Sequence, residues 1–159
     1  MKDITIEILK KGLRGHNSHV APLRAITGLD AETARKRPSK KAHSIWDILH
    51  HIVLWQDKTL EAIQGGDVDW TAAHEMEWPS GESLAKDSEW EVLMERFGNG
   101  LTIAEGLLDS TDLSVKLSAW SDESAAKAFM VLVQHNSYHL GQIVILREIL
   151  GVWPPAEKK

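Results

Sequence analysis

The stretch from Ser121 to Leu150 holds no proline, and its apolar residues recur at three- and four-residue steps. That is the period of one long helix. Gly151 follows in the place of a C′ residue, and Pro154-Pro155 forbid continuation. A helix of that length with an apolar face must be covered by other helices or by a sheet. The remaining sequence offers helices and no confident strand pairing.

Three further patterns supply the cover. The first runs from Asp3 to Ile26, with Ile6, Leu9, Leu13, His16, Val20 and Leu23 as one stripe, weakened by Gly12, Gly15 and Pro22. A short helix is expected at Asp30 to Ala34, with Asp30 as N-cap. The second long pattern opens at Ser44 with Asp47 three residues on, a capping-box arrangement. Its stripe is Ile45, Ile48, Leu49, Ile52, Trp55, Thr59 and Ile63, and Gly65-Gly66 stops it. A Trp-bearing connection from Asp67 to Gly81 reads as the longest loop. The third pattern starts at Ser88, with Glu91 completing a second capping box, and passes Leu93, Phe97, Leu101, Ala104 and Leu108. The segment Leu113 to Trp120 is short and reads as extended. The expected fold class is all-α, a four-helix bundle, with residues 1–159 forming a single domain.

Composition narrows the chemistry. With no cysteine, thiolate metal sites, disulfides and cysteine nucleophiles are excluded, so a transition-metal site must use histidine and carboxylates. The net charge of -5 and the lack of a basic stripe argue against nucleic acid as a partner. The N-terminal residues read as neither a signal nor a transit peptide, and no apolar run is long enough for a membrane span. The expected location is cytoplasmic. Seven Trp stand against one Tyr and two Phe, so core junctions and any aromatic wall must be built largely from indoles.

The histidines carry the functional signal. His135 and His139 stand at i and i+4, on one helical face with Leu132, Gln142, Ile143 and Leu146. His51 falls on the inner stripe of another helix with Ile48, Ile52 and Trp55, whereas His50 is turned about 100° away. Buried imidazoles need partners, because an unpaired buried polar group costs a few kcal/mol. One divalent ion satisfies all three and leaves a position for water or substrate. Ordinary packed core histidines are the competing reading.

The strings Ser44-Ile45-Trp46-Asp47-Ile48-Leu49-His50-His51-Ile52 and His135-Asn136-Ser137-Tyr138-His139-Leu140-Gly141-Gln142-Ile143 resemble the two motif regions of the DinB-like superfamily, which includes the YfiT-type proteins. The closing string Leu146-Arg147-Glu148-Ile149-Leu150-Gly151-Val152-Trp153-Pro154-Pro155 is similar as well. The resemblance implies a four-helix bundle, commonly a homodimer, with a divalent metal ion on His51, His135 and His139, and the nitrogen-only ligand set on buried faces favours zinc or nickel. The resemblance also implies metal-dependent chemistry of the thiol-dependent transferase or hydrolase type, with a low-molecular-weight thiol or a small electrophile as partner. The alternative is a non-catalytic bundle in which the ion stabilises the fold or a partner interface.

Other residues are candidates for supporting roles. His16 and His19 on the first pattern could approach the metal. Asp47, one turn before His51, could orient its ring in addition to capping the helix. Gln142 could bond a metal-bound water or substrate. Trp55, one turn beyond His51, is the candidate for substrate contact. Tyr138 is turned off the histidine face, and His43 and His74 are expected at the surface. Trp90 and Met94 are expected as uncovered apolar positions for a dimer contact. No HExxH, P-loop, GxGxxG or GxSxG motif occurs.

Overall fold

A computed structural model describes residues 4–16, 18–79 and 87–156. In chain order these form α1 (Ile4–Arg14), α2 (Pro22–Ile26), α3 (Ala31–Arg35), α4 (Ile45–Ile63), α5 (Trp70–Met76), α6 (Asp87–Ser110), a small hairpin of β1 (Lys116–Leu117) and β2 (Glu123–Ser124), and α7 (Ala125–Ile149). The four long helices close a ring: α4 packs on α6 and α7, and α1 packs on the same two. The all-α bundle expectation holds. No helix among the described residues is long and apolar enough to cross a membrane.

Local chemistry explains the helix ends. Ser44 caps α4 by accepting from the Asp47 amide, while the Asp47 carboxylate accepts from the Ser44 amide, so the capping box forms. Asp30 caps α3 as expected. Ser124 caps α7, so that helix starts a few residues later than the period alone suggests. The first pattern is not one helix. Gly15 takes a left-handed conformation (φ 68°), which ends α1, and α2 restarts at Pro22, where a missing amide costs nothing. α6 is already under way at Asp87, so Ser88 lies inside its first turn and not at its cap. The Asp67–Gly81 connection holds α5, and its last two residues lie outside the described ones. Leu113–Trp120 is extended only at Lys116 and Leu117, which pair antiparallel with Ser124 and Glu123.

Helix direction decides where the connections run. Lys10 pairs with Asp109 and Arg14 with Glu105, so α1 and α6 are antiparallel. Trp46 lies beside Trp90, and Asp57 pairs with Arg96, so α4 and α6 run parallel. The link between two parallel helices must travel back along the bundle. It does so over the groove between α4 and α7: Trp70 meets Trp120 at one end, and Trp78 stacks on His51 and His43 at the other.

The core falls into two apolar clusters. One joins Ile45, Leu49, Ile52, Phe97, Leu140 and Ile143. The other joins Leu60, Ile63, Leu108, Phe129 and Leu132. Each such side chain stabilises the fold by about 1.5–3 kcal/mol through burial. Between the clusters on α4 and α7 lies a layer of polar side chains, namely His51, Gln56, His135, Asn136 and His139. Beyond the first cluster, the buried Arg147 donates to the carbonyls of Ala25, Thr27 and Val152, fastening α2 and the C-terminal tail to α7.

Candidate metal centre

α4 and α7 bring His51, His135 and His139 together across the polar layer, with one ligand atom from each lying within 4.8 Å of the others. The Nε2 atoms of His51 and His135 are 3.0 Å apart. Two nitrogens on one tetrahedral zinc ion stand about 3.3 Å apart, given Zn–N bonds of 2.0–2.1 Å. His139 directs Nδ1–H to the Gln142 carbonyl oxygen at 2.7 Å, which leaves Nε2 as its free lone pair. The group could hold a metal ion, and the donor set suits one: three imidazoles, two of which face each other through Nε2 at 3.0 Å.

The electrostatics point the same way. Burial pushes the His51 and His135 pKa values down to about 4, and the neighbouring histidines push them further in that direction. His139 is lowered by burial as well. All three are therefore neutral at pH 7, with lone pairs available. The Nδ1 atoms of His51 and His135 are buried and have no hydrogen-bond partner among the described residues.

The back of the site is built from amides. Asn136 Nδ2 donates to Gln56 Oε1 at 3.3 Å, and Gln56 Nε2 donates to the Phe97 carbonyl at 3.2 Å. Asn136 Oδ1 is buried without a partner among the described residues, in the residue next to His135. Gln56 is fully buried against Gly100, where any Cβ would overlap its side-chain amide. The front is aromatic. Trp78 stacks on His51 at 4.1 Å, and Trp55 meets its edge at 6.3 Å. A cavity of about 520 Å³ opens there, bordered by all three histidines and by Trp55, Trp70 and Trp120.

Several expected helpers stand elsewhere. His16 is exposed and takes no part. His19 is committed at both nitrogens: Nδ1–H donates to the Val20 carbonyl and Nε2 accepts from Ser137 Oγ. Asp47 is used by its cap and by an ion pair with Arg37 at 2.6 Å, not by His51. Gln142 bonds the His139 ring itself, an orienting contact of the kind that fixes a ligand's tautomer. Trp90 is 2% exposed and donates to the Leu29 carbonyl, and Met94 packs partly on the core, so neither forms an open dimer surface. His43 and His74 are exposed, and Tyr138 is 66% exposed off the histidine face.

Glu77 was not anticipated. Its carboxylate accepts from Trp55 Nε1 at 3.3 Å and stands 3.9 Å from His51 Nδ1 and 3.7 Å from His74 Nδ1. No sequence signal marks it, since it reaches the site only because the crossover runs over the α4–α7 groove. Trp70 lies on the Asp67–Gly81 connection, expected from the sequence to form part of a pocket wall, whereas Trp120 had only the excess of Trp as its signal.

No curated protein and no solved structure matches the chain. A family model described as the DinB superfamily matches residues 21–143, well over half of the sequence and all three histidines. The chain therefore belongs to the DinB superfamily.

Proposed function

We propose that the protein binds one divalent transition-metal ion, zinc or nickel, through His51, His135 and His139, and uses it in catalysis. The observation that carries this reading is the convergence of three neutral imidazoles on the wall of a cavity large enough for a small molecule. A divalent ion held there supplies a Lewis acid that keeps its full positive charge. The chain's own part is to hold the ligands neutral, to orient His139 through Gln142, and to keep one side open toward the cavity. Such a site suits thiol-dependent transfer to a small electrophile, with hydrolysis as the other version. No acid or base is placed as in an HExxH protease, where a glutamate lies between the ligands.

Elemental analysis after mild purification tests the assignment. About one equivalent is expected, and metal content unchanged in a His135→Ala, His139→Ala double variant would sink it. The non-catalytic reading, in which the ion only ties α4 to α7, predicts a coordination sphere indifferent to added ligands. A cobalt-substituted protein whose spectrum responds to a small thiol argues against it.

The homodimer belongs to the same proposal on a different surface. Met130, Tyr138, Ile145 and Ile149 are exposed along one side of α7, with Gly141 open among them. An apolar stripe on a helix otherwise buried fits a second copy. Light scattering at micromolar concentration giving only monomer would refute it.

A further inference from the structure

The cavity in front of the histidines is built for a particular kind of ligand. Its walls are indole faces: Trp55 and Trp70 lie nearly parallel, with centroids 6.1 Å apart and planes 11° apart. Trp70 and Trp120 meet edge to face at 5.3 Å. Two of the three indole N–H groups at the cavity are already used. Trp70 Nε1 donates to the Ala119 carbonyl, and Trp55 Nε1 donates to Glu77. Leu132 and Val131 continue the apolar lining. Among the described residues the one carboxylate at the rim is Glu77, which faces Trp55, His51 and His74.

Trp120 is placed there at a conformational cost. The turn that follows it holds two consecutive non-glycine residues in the left-handed region, Ser121 (φ 52°) and Asp122 (φ 56°). Such conformations are sparsely populated and persist where surrounding contacts impose them. Here the Asp122 amide donates to the Leu117 carbonyl across the hairpin mouth, which pins the turn with Trp120 against Trp70.

We infer that this cavity binds the flat, uncharged aromatic portion of a small molecule whose single donor atom points to His51, His135 and His139. The inference deepens the metal reading above and rests on it for the donor end only. Indole faces with two of three N–H donors engaged reward planar apolar surface more than they reward sugars, peptides or other polar ligands. A volume of about 520 Å³ takes one such group together with a short linker.

The test has two arms on the full chain. In metal-free protein, benzyl alcohol should shift the indole N–H resonances of Trp55, Trp70 and Trp120 and leave that of the core residue Trp90 in place. In cobalt-loaded protein, benzyl mercaptan should bind at least tenfold more tightly than 2-mercaptoethanol. Trp120→Leu should erase most of that preference with melting temperature and cobalt affinity kept. If Trp120→Leu does not fold, Trp55→Phe serves in its place, with a smaller loss of preference expected. Equal affinity for the two thiols overturns the proposal. So does tighter binding of benzyltrimethylammonium than of benzyl alcohol, which would make the cavity a cation site. A chain that takes up no cobalt defeats the metal reading alone, and the resonance shifts then decide the cavity by themselves.

Discussion

The two sides of the α4–α7 groove are made differently. Behind the histidines, toward α6, the chain of Asn136, Gln56 and the Phe97 carbonyl is packed with no slack, and Gly100 is the gap that lets Gln56 fit. In front, under the crossover, three tryptophans border open space. The same two helices thus present a side where every atom is constrained and a side where a small molecule has room. A ligand set needs the first to keep its geometry and the second to do anything with it.

The largest expected effect breaks the contrast at its centre. The His135→Ala, His139→Ala double variant should lose bound metal by more than a thousandfold, since a single remaining imidazole is a weak ligand. A competition titration with a chromophoric chelator reads this directly. On the rigid side, Gly100→Ala should lower stability by about 1–3 kcal/mol. On an open helix the same change would gain about 1 kcal/mol, so a raised melting temperature would show that the back wall yields. The next effect is a pH dependence of the metal-free protein. His51 and His135 titrate near 4 when folded, against 6.5 for a free imidazole. Between those values the unfolded chain binds protons that the folded chain refuses, so stability should fall as pH drops from 6.5 to 4. A melting temperature flat across that window would contradict the burial that lowers the two groups. Gln142→Leu should weaken metal affinity by about 10- to 100-fold, the usual size for losing an orienting partner, with melting of the metal-free protein little changed. The smallest effect lies outside the groove: Asp47→Ala removes a cap worth about 1 kcal/mol and should leave metal affinity within twofold. A large loss of affinity there would restore Asp47 to the site.

Legibility in the sequence followed the range of the interactions. The Ser44 cap, the Asp30 cap and the stop at Gly151 were readable because each depends on residues three or four apart. The inward facing of His51, His135 and His139 was readable from period alone, and the resemblance joined them into one set. Where a helical stripe was extended through Gly15, the expectation failed, because the backbone turn there outweighs periodicity, and His16 went to the surface. The Trp-bearing Asp67–Gly81 connection was expected to form part of a pocket wall and does border the cavity, whereas Glu77 and the Gln56–Asn136 relay were not legible. They depend on α4 and α6 running parallel, a property of how distant segments pack that no local pattern encodes.

The same long-range origin governs when the site can exist at all. His51 and His135 are 84 residues apart in the chain, and among the described residues nothing before α7 supplies a second or third imidazole to the cluster. A nascent chain that has just made α4 carries one histidine of the set and cannot retain an ion at cellular concentrations. In the proposed site the pair on α7 would supply two ligands locally, and the third only once α7 has docked beside α4. On the proposed reading, metal would act as a latch on a completed bundle and not as a seed for one. Adding it during refolding should slow unfolding while leaving the rate of folding unchanged.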